Sequence, residues 1–274
     1  MKILVIGSKG MLGTDLMQGL SKTSYEFIGL DIQDIDITKK EEMSKIKKEN
    51  PGIIINCAAY TNVDLAETEK EKCYSVNLGG IKNLVRICKK NKITLVYIST
   101  DYVFDGKKEG YDEDDEKNPI NYYGKTKSEG EDIIINNLEK YYIIRTSWLF
   151  GKNGKNFVET IIKLCKEKEE IKVVEDQIGS PTYTKDLSKG IIEIIKNINK
   201  YKCGVYHITN SGKCSWFEFA SEIARLTGSR CRINPCTTQE FTRPAKRPKF
   251  SMLNNNKTEK LRHWKEALKE YLTS

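Results

Sequence analysis

Lys2-Ile3-Leu4-Val5-Ile6-Gly7-Ser8-Lys9-Gly10-Met11-Leu12-Gly13 carries an unbroken apolar run straight into a turn punctuated by three glycines. Successive apolar residues suit a strand buried on both faces, the habit of parallel sheets covered by helices. The glycines are spaced G-x-x-G-x-x-G, which departs from G-x-G-x-x-G. At such a turn Gly7 allows a tight bend, Gly10 a close approach of backbone to a pyrophosphate, and Gly13 close packing of the next helix on its strand. That helix, opening with Met11 and Leu12, points its free N–H groups at the anion. A plain strand-turn also uses glycines, so the second strand decides the matter. Phe27-Ile28-Gly29-Leu30 ends on Asp31, near the ~20-residue interval at which a carboxylate meets the adenosine ribose hydroxyls of a dinucleotide. A carboxylate there repels a 2′-phosphate, and Ile32 and Gln33 offer no arginine to receive one. NADH is therefore expected to be favoured, with NADPH possible.

Downstream stands Tyr123-Gly124-Lys125-Thr126-Lys127. Positions four apart on a helix share a face, so the phenol of Tyr123 and the ammonium of Lys127 are expected to enter one crevice. A nearby cation favours phenolate and is expected to lower the Tyr123 pKa towards neutrality from its reference near ~10. The tyrosine can then give a proton as a hydride reaches a carbonyl carbon. Lys127 can also hold the nicotinamide ribose. A fourth strand ends Ser99-Thr100-Asp101, and Thr100 is taken as the hydroxyl this chemistry needs. Asp36-Ile37 is placed beside the adenine, although Asp36 beginning a helix cap is an equal reading. The small pair Ala58-Ala59 lets the chain pass close to the dinucleotide, and Thr61 and Ile98 complete the expected cofactor set.

Composition bounds the rest. The 274 residues are 38% hydrophobic and 31% charged, suiting a water-soluble globule of one or two lobes. No apolar run nears the ~18 residues of a spanning helix and no secretory leader pattern opens the chain, so a cytoplasmic protein is expected, without a membrane partner. Eight scattered cysteines include no CxxC pair, and only two histidines are present. They read as small reduced hydrophobes, and no metal site is expected. The net charge of +8 comes from lysines spread through the chain amid acids. That argues for solvated helix faces, not nucleic-acid binding, with a general field that helps attract a diphosphate.

Apolar runs at Ile3–Ile6, Phe27–Leu30, Ile53–Asn56, Leu95–Ile98 and Tyr142–Arg145 alternate with helical periods at Leu12–Leu20, Thr38–Glu49, Tyr74–Lys90 and Tyr123–Leu138. Thr38 is the expected N-cap of the second. The alternation predicts an α/β fold, a Rossmann-type doubly wound parallel sheet with a smaller C-terminal substrate lobe. Residues 1–151 with about 181–199 are assigned to the dinucleotide-binding domain, and about 152–180 with 200–274 to the lobe. The later elements expected are helices at Asn156–Lys168, Lys185–Ile198, Trp216–Leu226 and Leu261–Leu272, and strands at Lys172–Val174 and Val205–Ile208. Ser215 and Glu218 make a capping box before Trp216.

Taken together, these residues resemble the extended short-chain dehydrogenase/reductase family, and within it the dTDP-4-dehydrorhamnose reductases. The strings Ser99–Gly106, Tyr123–Lys127, Arg145–Trp148, Asp176–Thr182 and Arg243–Pro248 carry the similarity over nearly the whole chain. The resemblance implies NAD(P)H-dependent reduction of the C4 ketone of dTDP-4-dehydro-β-L-rhamnose to dTDP-L-rhamnose, a precursor of surface polysaccharide. It implies Thr100, Tyr123 and Lys127 as the catalytic set and Asp101 and Trp148 against the sugar. The stretch from Gln177 to Thr182 and Arg247 would lie towards the nucleotide diphosphate, which an arginine fork suits. Some family members hold magnesium through glutamates at a dimer interface. Asp15 stands at one matching position, a shorter side chain, so magnesium is doubtful and a monomer or a homodimer is left open.

Two other readings share parts of this pattern. A nucleotide-sugar epimerase or dehydratase uses the same cradle and Tyr–Lys pair, but a dehydratase places an acidic pair after the threonine and here Tyr102 follows Thr100-Asp101. A non-catalytic regulatory relative needs only the fold, and the intact Thr100, Tyr123 and Lys127 argue against it.

Overall fold

A computed structural model describes residues 1–274. The chain begins β1 (Lys2–Ile6), α1 (Met11–Leu20), β2 (Glu26–Leu30), α2 (Met43–Glu49) and β3 (Ile53–Asn56). It continues α3 (Lys70–Tyr74), α4 (Ile81–Asn91), β4 (Thr94–Thr100), α5 (Tyr122–Asn137) and β5 (Tyr141–Thr146). Then come β6 (Leu149–Phe150), α6 (Phe157–Glu167), β7 (Glu170–Val174), β8 (Ile178–Gly179), β9 (Thr182–Tyr183) and α7 (Thr184–Lys196). The last are β10 (Gly204–His207), β11 (Asn210–Ser211), β12 (Cys214–Ser215), α8 (Trp216–Leu226), β13 (Arg232–Cys236), β14 (Leu261–His263) and α9 (Trp264–Thr273).

Six strands form one sheet in the order β10-β5-β4-β3-β1-β2, every pairing parallel. The continuous apolar runs explain this, because each strand is covered twice. On one face Ile3, Val5, Ile53, Ile55, Val96 and Ile144 pack against Leu12, Leu16 and Leu20 of α1 and Leu187, Ile191 and Ile195 of α7. On the other, Leu4, Ile6, Ile54, Leu95, Tyr97 and Ile143 meet Ile46 of α2, Leu84, Val85 and Cys88 of α4 and Ile134 of α5. A third core, built on Phe150, Val158, Ile161, Phe219, Ile223, Trp264 and Leu268, belongs to the C-terminal elements. Strand order reverses between β1 and β3, which opens a crevice at their carboxyl ends.

Four local expectations change. Thr38 is not an N-cap: both its N–H and hydroxyl bond to Asp36 Oδ1, and a 3-10 turn at Lys40–Glu42 leads into α2. The helix expected over Tyr74–Lys90 starts at Lys70 and is interrupted by a π-helical segment, Ser75–Gly80, between α3 and α4. Leu261–His263 is a strand paired with β11, so the last helix begins only at Trp264. Gly204–His207, assigned to the lobe, is instead the edge strand of the main sheet, because Val205 and Tyr206 continue its apolar faces beside β5. The capping box at Ser215 and Glu218 forms with both reciprocal bonds, at 3.0 and 2.7 Å. No helix is long and apolar enough to cross a membrane.

Candidate active site

The glycine turn sits where the loops after β1 and β3 touch. Gly7 has φ +77°, and a Cβ there would lie 2.9 Å from the Ala58 nitrogen. A Cβ on Gly13 would come within 2.1 Å of the Gly7 carbonyl oxygen, so α1 can cross its own turn only with glycine at that place. Met11, Leu12 and Gly13 precede the first bond of α1, from Thr14 N–H to Gly10 C=O at 2.9 Å, and no side chain caps them. Uncapped N–H groups on a helix end form a binding site for phosphate oxygens. The turn therefore fits a dinucleotide pyrophosphate.

A cavity of about 460 Å³ opens from this turn across the carboxyl ends of the strands. Among the expected residues, Gly7, Gly10, Met11, Leu12, Gly13, Ala59, Thr61 and Ile98 line its one side. Thr100, Asp101, Tyr123, Lys127 and Trp148 line the other. Asp31 lies at the tip of β2, its Oδ2 accepting the Lys9 N–H at 2.8 Å and its Oδ1 the Ile32 N–H. Asp36 closes the turn onto Thr38, while Ile37 is 4% exposed in the core against Gly80, so its side chain is not part of the crevice.

Tyr123 and Lys127 face the cavity from α5, whose start is fixed by Asn121 Oδ1 accepting the Gly124 N–H at 2.8 Å. Their electrostatics differ from the sequence expectation. Burial pushes the Tyr123 phenol above its ordinary range, with the Thr100 hydroxyl the first influence pulling it back. The Lys127 ammonium turns instead to the Ile98 carbonyl at 2.7 Å and stands 3.9 Å over the Tyr97 ring, so it does not offset that burial. Burial brings the Lys127 amine itself down to about 7, against the opposing pull of Glu131.

Because the folded value lies below the unfolded 10.5, the native state holds fewer protons at this site between about pH 7 and 10.5. The cost of burying the charge is full below about pH 7 and fades as pH rises to 10.5. Lys127→Met is expected to abolish turnover and yet to be roughly 1–3 kcal/mol more stable than the parent at pH 7, the gap narrowing by pH 9.5. Urea denaturation at the two pH values measures it. A variant less stable at pH 7 would contradict this electrostatic account.

Asp101 is 2% exposed. Its Oδ1 accepts the Thr100 hydroxyl at 2.9 Å and its Oδ2 has no hydrogen-bond partner. Burial lifts its carboxyl to about 7, with the hydroxyls of Ser251 and Thr100 opposing. Trp148 occupies left-handed backbone at φ 47°, a conformation that costs such a residue ~1–3 kcal/mol. Its ring stacks on Trp216 at 3.5 Å and its Nε1 donates to the Ser251 hydroxyl at 3.1 Å. It is both wall of the cavity and neighbour of the third core.

Gln177 and Arg247 lie elsewhere, in an adjoining cavity of about 310 Å³ walled by Phe157, Trp216 and Phe241; Tyr102 borders both cavities. Lys155, which also lines the cavity, carried no sequence signal, and Thr146, named only as part of the string Arg145–Trp148, brings a buried hydroxyl that lacks a partner. Asn77, in the π-helical segment, binds both Tyr60 backbone groups and donates to Thr126 Oγ1 at 3.0 Å, tying α5 to the loop after β3. No local pattern in the sequence marks it, because the π-helical pitch is seen only in the folded chain. Cys57 also lines the cavity, but burial raises its thiol to about 12, which leaves it an inert hydrophobe. The Asp15 carboxylate bonds to the Thr184 hydroxyl, and no group of three or more His, Cys, Asp or Glu gathers in metal-holding geometry.

Known proteins share this sequence pattern and fold. The family described as RmlD substrate binding domain matches residues 1–274. The crystal structure of a dTDP-4-dehydrorhamnose reductase from Clostridium acetobutylicum superposes with TM-score 0.95 at 46% identity, covering 100% of this chain and 99% of that one. The Bacillus anthracis dTDP-4-dehydrorhamnose reductase, solved in complex with NADP, gives 0.94 at 42% identity, over 99% and 98%. The dTDP-4-dehydrorhamnose reductase of Aggregatibacter actinomycetemcomitans is 38% identical over 98% of this chain and 97% of its own.

Proposed function

We infer that this chain, which belongs to the RmlD substrate binding domain family, reduces the C4 ketone of dTDP-4-dehydro-β-L-rhamnose to give dTDP-L-rhamnose. The observation that carries the reading is the convergence of Thr100, Tyr123 and Lys127 on the cavity that also receives the glycine turn. A reduced nicotinamide dinucleotide supplies the hydride when bound. The uncapped N–H groups of Met11, Leu12 and Gly13 would hold its pyrophosphate, Asp31 the adenosine ribose and Lys127 the nicotinamide ribose.

The raised phenol of Tyr123 suits this direction of reaction. It remains protonated at neutral pH, and the alkoxide that develops at C4 is a far stronger base, so a neutral phenol is acid enough to donate. Thr100 places its hydroxyl beside that phenol, and Asp101, in the same cavity wall, is assigned to a sugar hydroxyl. Trp148 closes the wall behind the ring. Gln177 and Arg247 serve the nucleotide end from the adjoining cavity. The absorbance of the reduced cofactor tests the activity. One equivalent should be consumed per 4-keto sugar nucleotide, whereas an epimerase or dehydratase restores its cofactor and a binding module leaves it untouched.

Asp31 further supports NADH over NADPH, since its carboxylate would face a 2′-phosphate with like charge. We expect NADH to bind about tenfold more tightly, a difference of ~1.4 kcal/mol, and Asp31→Ala to narrow that ratio. Fluorescence titration with both cofactors measures it. Tighter binding of NADPH by the parent would contradict the role given to Asp31.

A further inference from the structure

Asp64, which the sequence did not single out, lines the smaller cavity where it meets a strap running from Arg243 to Pro248. Its Oδ1 accepts from Arg247 Nη1 and from the Ala245 N–H at 3.3 Å, and its Oδ2 accepts from Arg247 Nη2 at 2.9 Å. Arg247 Nη1 also donates to the Ala245 carbonyl at 2.7 Å, and Arg243 approaches Asp64 at 3.8 Å. Both Asp64 and Arg247 line the smaller cavity together with Tyr102, whose ring borders the catalytic cavity as well. A guanidinium has five N–H donors. Three of those on Arg247 are used in these contacts. The two that remain, on Nε and Nη2, share one edge; the Tyr102 hydroxyl is also a hydrogen-bonding neighbour of this guanidinium and would give way to a ligand, and a parallel pair of donors is the arrangement that grips a phosphate bidentately.

We propose that Asp64 is a positioning residue for the sugar-nucleotide reaction: it clamps Arg247 from one end so that the free edge of the guanidinium is held ready for the substrate's diphosphate. The idea deepens the function proposed above and rests on it. Clamping removes rotamer freedom from a long side chain before the ligand arrives, which reduces the ordering cost of binding. With Arg243 the cluster carries two positive charges and one negative, so a net positive site is left for the diphosphate even while Asp64 is ionised. The Arg247 fork and its ionic neighbours hold the Asp64 carboxyl below the usual carboxylate range, against its partial burial, so the clamp is closed at neutral pH.

The test uses the full-length chain and titrates thymidine diphosphate by calorimetry in the parent, Asp64→Asn and Arg247→Lys, alone and combined. Asp64→Asn is expected to weaken thymidine diphosphate about tenfold, to leave the NADH dissociation constant unchanged, and to show its loss in KM for the sugar nucleotide and not in kcat. Combined with Arg247→Lys it should add little, because both changes spoil one fork. Thymidine diphosphate bound as tightly by Asp64→Asn as by the parent would overturn the proposal and leave Asp64 a simple clip on the strap. Should Asp64→Asn not fold, Asp64→Glu serves: its longer arm displaces the guanidinium, so unchanged affinity there overturns the proposal equally. A parent protein that does not bind thymidine diphosphate at all would instead overturn the sugar-nucleotide reading, and the proposal with it.

Discussion

Tyr123→Phe should lower turnover by ~10²–10⁴-fold, the ordinary worth of general acid help, while NADH binds as in the parent. The phenylalanine keeps the ring that meets Tyr102 edge-on at 5.8 Å and removes only the hydroxyl. That hydroxyl sits in a buried setting with Thr100, and burial keeps it protonated at pH 7. Lys127 does not replace it, because its amine turns to the Ile98 carbonyl on β4. Steady-state rates and cofactor fluorescence, measured on the same preparation, separate the two effects. Turnover within a fewfold of the parent would show that the proton comes from elsewhere, with Asp101 the next group to examine.

The largest effect on stability is expected beneath the site. Glu131 is fully buried; its Oε1 accepts from Arg145 Nε at 3.0 Å and from the Ser99 hydroxyl, and its Oε2 from Arg145 Nη2 at 2.7 Å. Arg145 is itself 2% exposed. Removing the carboxylate leaves a guanidinium uncompensated in the sheet's interior, a defect that costs about 3–5 kcal/mol. Glu131→Ala should therefore shift the urea midpoint strongly to lower concentration. Adding Arg145→Met should recover part of the loss, since replacing both members of a buried pair is far milder than orphaning one. A single-variant loss below 1 kcal/mol would mean that Arg145 is relieved by the Glu113 carbonyl it already meets at 3.1 Å. Ser99 and Thr100 are neighbours on β4, so the pair also steadies the strand end that delivers Thr100 and Asp101 to the cavity.

The frame of the molecule could be read from the chain because parallel strands announce themselves. Ile53-Ile54-Ile55 has no polar face to hide, and a strand covered on both sides is what such a run means. Tyr123 and Lys127 were legible for a similar reason, as helix spacing decides which side chains share a face. What stayed illegible depends on contacts far apart in sequence. Asp64 and Arg247 are separated by 183 positions and no local pattern joins them. Asn77 acts through a helix that changes pitch, which a 3.6-residue period cannot represent. The direction of the Lys127 ammonium was set by a carbonyl on β4 and the ring of Tyr97, so spacing alone overstated its pull on Tyr123, whose phenol burial raises instead. The inward turn of Ile37 was equally hidden, because the loop after β2 folds its side chain under Gly80 and into the core.

Hydride transfer followed with a deuterium label reaches the centre of the account. The parent enzyme would be given NADH carrying deuterium at the reactive nicotinamide carbon together with the 4-keto sugar nucleotide, and the product examined by proton and deuterium NMR. The reading requires the label at C4 of the product sugar, one per cofactor oxidised, and its disappearance in Tyr123→Phe although that variant still binds both ligands. With both hydrogens of that nicotinamide carbon replaced by deuterium, a product lacking deuterium at C4, or carrying it at another carbon of the sugar, would contradict it.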